Sequence, residues 1–238
     1  MATGNSIKDE IKANRKEAFA KMNGVQKTKY LIHYYKIHAI VAIAIIGIIY
    51  ALVHTIANHR DIYFDAAIVN GNQEADYETF IAEYDATLDY NRDKEKVSVD
   101  SSYVMSMDPS MQNGFDAQQM EKLMVATVAG QIDVIIADED TFRGIAANGY
   151  FIDLSSAMSD ELLAKYSDRF ITCDIYYDDV KTSTESSGVE VTDAAKILQY
   201  NMFPDKKCYL GIVLEEETPD RSFDFLDYLF TTEDGGQK

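Results

Sequence analysis

Four histidines, two cysteines and several tight groups of carboxylates are the side chains with chemistry to offer, and their places in the chain restrict it at once. His33, His38, His54 and His59 all precede residue 60. Residues 61–238 therefore hold no imidazole for a general base, for a Ser-His-Asp or Cys-His nucleophile, or for a His-bearing zinc site. His33/His38 and His54/His59 are each spaced by five, which does not align side chains on one helical face. Interfacial positions suit them better than metal or haem ligation.

Carboxylates remain. Asp138-Glu139-Asp140 follows the short apolar run 132–137 (IDVIIA), and α/β folds keep their sites just past the carboxyl ends of strands. Asp138, Glu139 and Asp140 are thus the candidate ligand- or partner-binding residues. Asp138 or Asp140 serves equally as the N-cap of a following helix, with the others as first-turn charges. Residues 108–116 (DPSMQNGFD) are acidic in the manner of a calcium loop, but the glycine is misplaced and the closing glutamate is missing, which leaves a loop. Glu215-Glu216-Glu217 reads as a solvated strand end before a Thr218 cap. Cys173 and Cys208 fall in predicted strands, as a disulfide or as two small buried residues. No catalytic residue, cofactor or metal site is expected.

The chain that must position these groups is divided by charge. It carries 22 basic and 40 acidic residues, a net −18, which argues against nucleic acid as a partner. Residues 1–57 hold eight of the basic residues and three acids, a net +5, leaving −23 on the rest. Between the halves runs 37–57 (IHAIVAIAIIGIIYALVHTIA), predicted as one transmembrane helix because about 20 apolar residues span a hydrocarbon core of about 30 Å. Basic residues concentrate before it, so the N-terminus is expected in the cytoplasm and the domain after residue 60 outside the cell. A cleaved signal peptide fits poorly, since 36 residues precede the apolar stretch. In the basic arm 1–36, Ile7, Ile11, Ala18, Phe19 and Met22 recur at helical spacing among Lys8, Lys12, Arg15, Lys16 and Lys21. That arm is either a short helix on the anionic inner leaflet or a solvated segment that only sets topology.

Beyond residue 60 the periods alternate. Strands are predicted at 62–70, 96–105, 132–137, 171–177 and 208–214. Helices are predicted on the stripe Tyr77, Phe80, Ile81, Tyr84 and Leu88, and after an Asp116 cap boxed with Gln119, with Met120, Leu123, Met124 and Val128 buried. Further helices are expected at about 141–147, from a Ser159 cap to about 170, around 192–200, and from Thr218-Pro219 through Phe223, Leu226, Leu229 and Phe230. Residues 181–188 (KTSTESSG) read as a polar loop. The expected fold is α/β, a single lobe with a mostly parallel sheet sandwiched by helices.

Residues 122–154 (KLMVATVAGQIDVIIADEDTFRGIAANGYFIDL) resemble the first-lobe signature of extracellular solute-binding proteins of ABC importers. Ala129-Gly130-Gln131-Ile132-Asp133-Val134 occupies the turn and strand of that signature, and Phe142, Ala146, Gly149, Asp153 and Leu154 the stretch after it. Residues 209–230 are similar to the place where such proteins return to the first lobe with a strand and a helix, and 34–38 (YYKIH) resembles uncharacterised single-pass proteins of clostridia. The resemblance implies a periplasmic-binding-protein-like lobe. The chain departs from it in offering only 178 residues after residue 60, too few for two lobes and a hinge. A single lobe cannot enclose a solute, so small-molecule binding is expected to be weak or absent. The expectation is a membrane-anchored extracytoplasmic interaction or sensing module without catalysis, whose partners are the lipid bilayer and a membrane protein such as a transporter. The alternatives are a carboxylate-dependent cell-envelope enzyme and a diverged solute-binding receptor.

Overall fold

The computed structural model, described over residues 4–57, 60–108, 110, 113–214 and 219–232, divides into two compact units, Met1–His59 and Arg60–Lys238. The first holds α1 (Gly4–Ala20) and α2 (Gly24–Ala57). Asn23 separates them. Its Oδ1 accepts from the Gln26 N–H at 2.9 Å while Gln26 Oε1 accepts from the Asn23 N–H at 3.1 Å, a reciprocal capping box that starts α2 afresh. Within α2, Tyr35–Thr55 is a 21-residue stretch of mean hydropathy 2.4, none of it buried. It is one helix long and apolar enough to cross a membrane.

The second unit runs β1 (Asp61–Val69), α3 (Tyr77–Thr87), β2 (Glu95–Tyr103), α4 (Gly114–Val128), β3 (Val134–Asp138), α5 (Glu139–Ala146), α6 (Leu154–Ala157), α7 (Asp160–Tyr166), β4 (Phe170–Tyr177), β5 (Val180–Glu190), α8 (Ala195–Gln199), β6 (Cys208–Ile212) and α9 (Pro219–Leu229). Its six-stranded sheet has the order β2-β1-β3-β6-β5-β4. The α/β class holds; the mostly parallel sheet does not. Only β1 pairs in parallel, with β2 and with β3, whereas the β3–β6, β6–β5 and β5–β4 ladders are antiparallel.

The error has one main source. The polar run 181–188, expected as a loop, lies inside β5, which forms a hairpin with β4 through Asp178 and Asp179. Both turn residues have positive φ, 49° and 61°, the backbone of a tight hairpin turn usually marked by Asn-Gly or Asp-Gly. Ser and Thr alternate along a half-exposed strand, so no apolar period announces it.

Side chains alternate cleanly in the central strands. Phe64, Ala66, Ile68, Val134, Ile136, Leu210 and Ile212 face one core with residues of α3, α8 and α9, among them Phe80, Tyr84, Ile197, Phe225 and Leu229. Ala67, Val69, Ile135, Ala137 and Tyr209 face the other, with Leu123 of α4 and Phe142 and Ile145 of α5. Burial on both faces is why these strands read as largely apolar runs. Cys208 lies in the first core and Cys173 in the second; both are free, so the disulfide alternative falls.

Smaller corrections concern caps. Asn113, not Asp116, is the N-cap of α4, and Asp116 is its box partner at the third helical position. Val128 is exposed and Met120 and Met124 are only half-buried, leaving Leu123 as the main apolar anchor of that helix. Ser159 caps α7 as expected, but the helix ends at Tyr166 and continues as a 3-10 turn over Ser167–Arg169. The expectations for His59, the Glu215–Glu217 run and the Thr218 cap lie outside the described residues.

Candidate functional site

The sheet order creates a crevice. From β1 the chain turns by α3, on one face, to β2; from β2 it crosses by α4, on the other face, to β3 on the far side of β1. β1 and β3 are thus neighbours whose outgoing connections diverge, the arrangement that opens a crevice at their carboxyl ends. A cavity of 380 Å³ lies there, lined among others by Asn70, Gly71, Met105, Asp108, Asp138, Asp140, Thr141 and Lys206.

Asn70 organises it. It follows the last residue of β1 in the left-handed region, φ 58°, where Asn is tolerated better than most residues. Its Nδ2 donates to Met105 O at 2.8 Å and to Thr141 Oγ1 at 2.9 Å, and its Oδ1 accepts from the Met105 N–H at 2.8 Å. One side chain ties together the end of β1, the segment after β2 and the first turn of α5. At Gly71 a Cβ would come within 2.5 Å of Tyr77 Oη and 2.6 Å of Ile68 Cγ2, so the chain can leave β1 this closely only without one.

Of the three predicted site residues, two reach this crevice. Asp138 caps α5, its Oδ1 accepting from the Thr141 N–H at 3.1 Å. Asp140 is exposed on the lining. Glu139 instead accepts from Arg143 Nε at 3.0 Å and Nη2 at 2.9 Å along the helix. Sequence reasoning missed Asn70, seen only as half of an Asn70-Gly71 turn, and Lys206, which lies far along the chain. Among the described residues, no group of three or more His, Cys, Asp or Glu could hold a metal ion.

A second depression, 580 Å³, lies between β1, β2 and α4, with Asp65, Asp100, Tyr103 and Lys122 among mainly aliphatic neighbours. The Asp65 N–H donates to Asp133 Oδ2 at 2.7 Å and the Asp133 N–H donates to Asp65 O at 2.9 Å. Asp65 Oδ1 is buried without a hydrogen-bond partner. Burial, opposed by a Ser98 hydrogen bond and reinforced by the charges of Asp133 and Asp100, pushes the Asp65 carboxyl up to about 6. Burial also raises Asp133 above the usual carboxylate range. Lys122 Nζ pairs with Asp100 at 3.2 Å and stands 4.3 Å from the Tyr103 ring centroid. The signal available in the sequence was an aspartate in the middle of the apolar run 62–70.

Asp65 carries a pH signature. Its folded carboxyl keeps its proton to about pH 6, against 3.8 for the ordinary group. Its contribution is most favourable in acid, declines as pH rises through that window, and is a constant penalty of about 3 kcal/mol at neutrality. Asp65→Asn is therefore expected to be about 3 kcal/mol more stable than the parent at pH 7, the advantage fading towards pH 4. Urea unfolding across pH checks it; an advantage that is absent at neutrality, or that persists undiminished in acid, would refute the assignment.

No family profile, curated protein or solved structure matches this chain.

Proposed function

We infer that this protein is a single-pass membrane module, its N-terminus cytoplasmic, whose α/β unit outside the cell docks a membrane-protein partner or senses a weakly bound solute. The carrying observation is the pairing of an unburied 21-residue apolar helix with a compact unit whose crevice groups are already spent on each other. Asn70, Asp138 and Thr141 hold backbone and one another. What they leave for a ligand is a rim of Asp140 and Lys206, with Asp108 beside them already accepting from Ser110, suited to surface recognition rather than to bond-breaking. Basic residues before the helix favour the stated orientation.

Descent from a solute-binding lobe is supported by two features. The segment carrying the resemblance forms one continuous piece, the end of α4, a Gly130 turn at φ 64°, β3 and α5. The C-terminal β6 and α9 return to the middle of the sheet and to its core. The enzyme alternative draws on Asp65 and Asp133, two neighbouring carboxylates of raised proton affinity, of which that of Asp133 accepts from the Asp65 backbone N–H.

Protease added to intact protoplasts is expected to digest the 60–238 unit, and calorimetry of full-length protein in nanodiscs is expected to find no sugar, amino acid or short peptide tighter than about 10 µM. Protection of the unit, or its release into the medium, would overturn the anchored orientation. A specific solute below that threshold would restore the receptor alternative.

A further inference from the structure

The proposed anchor leaves α1 without a role, yet α1 has a distinct face. In helical projection Ile7, Ile11 and Ala18 fall on one arc, Met22 extends it just past the helix end, and Arg15 and Lys8 border it, with Lys12 and Lys16 beyond. Ile7 and Ile11 are 55% and 52% exposed. Ile11, Ala18, Phe19 and Met22 line a groove of 380 Å³ with Arg15 beside it.

α1 is also not a continuation of α2. The Asn23–Gln26 box begins a new helix three residues after Ala20, and Lys27 Nζ stands 5.4 Å from the Phe19 ring centroid across that break. The first eleven residues of α2, 24–34, lead from that break to the apolar span, so covalent connection holds this short amphipathic helix within about 17 Å of the surface that the span enters.

We propose that α1 lies on the leaflet that the span enters first, with Ile7, Ile11 and Ala18 at the headgroup–acyl boundary and Lys8, Lys12 and Arg15 on the flank that faces anionic lipid phosphates. The proposal rests on reading α2 as a membrane span. Charge complementarity selects the occupant: Lys8, Lys12 and Arg15 share one flank of the stripe, where an anionic leaflet attracts them, whereas Glu10 and Glu17 project from the other flank, Glu17 paired with Lys21 at 2.8 Å, and Asp9 points away from the stripe. Tethering makes the binding intramolecular, at an effective concentration on the order of millimolar, so a weak surface affinity suffices to keep the helix down.

The test uses the full chain in nanodiscs of phosphatidylcholine with or without phosphatidylglycerol, spin-labelled at Ala18→Cys on the stripe, Ala13→Cys on the opposite side, or Ile45→Cys in α2. The native cysteines are buried, and the unsubstituted chain gives the labelling background. In anionic discs the label at 18 is expected to collide with a water-soluble nickel chelate about tenfold less often than the label at 13. That difference should vanish in neutral discs and in the Lys8→Glu/Lys12→Glu/Arg15→Glu/Lys16→Glu chain. Equal exposure at 13 and 18, with 45 protected, overturns the proposal and leaves the span intact. Exposure at 45 overturns both. Protection at 18 that follows protein density rather than lipid charge means a second copy covers the stripe, and the proposal fails.

Discussion

Phe225→Ala is expected to cost the 60–238 unit about 4 kcal/mol, a large share of the roughly 5–15 kcal/mol that holds an ordinary domain folded. Phe225 is fully buried on α9, its ring centroid 4.8 Å from that of Phe64 on β1 and 4.9 Å and 6.2 Å from those of Tyr84 and Phe80 on α3. Truncation removes the ring on which three others converge, and rigid aromatic neighbours close such a void poorly. Phe225→Leu, which keeps most of the volume, should lose about 1 kcal/mol. Urea unfolding with an unchanged slope is the measurement; an alanine variant within 1 kcal/mol (about fivefold) of the parent would show that this cluster does not hold the face together.

Asn70→Ala is expected to cost about 3 kcal/mol, because it removes three hydrogen bonds of about 1 kcal/mol each net, strands both backbone groups of Met105, and leaves a residue with a Cβ at positive φ. Asn70→Gly separates the terms: it relieves the backbone and should lose only about 2 kcal/mol. Hydrogen exchange at the Met105 amide should accelerate in both. A glycine variant as stable as the parent would mean that the side chain bridges nothing of consequence.

What could be read beforehand follows from how each element is stabilised. β1 and β3 are legible because both their faces are buried, so most residues along them are apolar, with Asp65 the exception inside β1. The caps at Asp138 and Ser159 are legible because the side chain bonds within its own neighbourhood. Strand direction is not, since parallel and antiparallel partners demand the same residues of a central strand; only position in space distinguishes them. β5 was invisible for the opposite reason, being polar on its exposed part and turning on two aspartates. At the crevice, Asp138 and Asp140 were found from their place after a strand. Asn70 was not, because its partners Met105 and Thr141 lie 35 and 71 residues away. Nothing local marks such a residue.

The position of β6 bears on how the protein is made. It is the last strand among the described residues, yet it sits between β3 and β5, where Val134 pairs with Ile212 and Val189 with Leu210. Until it emerges, β3 presents an open apolar edge, and the β4–β5 hairpin has nothing to join. α9, which brings Phe225, Leu226 and Leu229 to the core, comes later still. Assembly of the sheet therefore waits until synthesis has passed β6 and α9, and its rate is set by long-range closure rather than by local elements. During that interval the exposed edge of β3 is the part of the nascent protein most in need of protection from other chains.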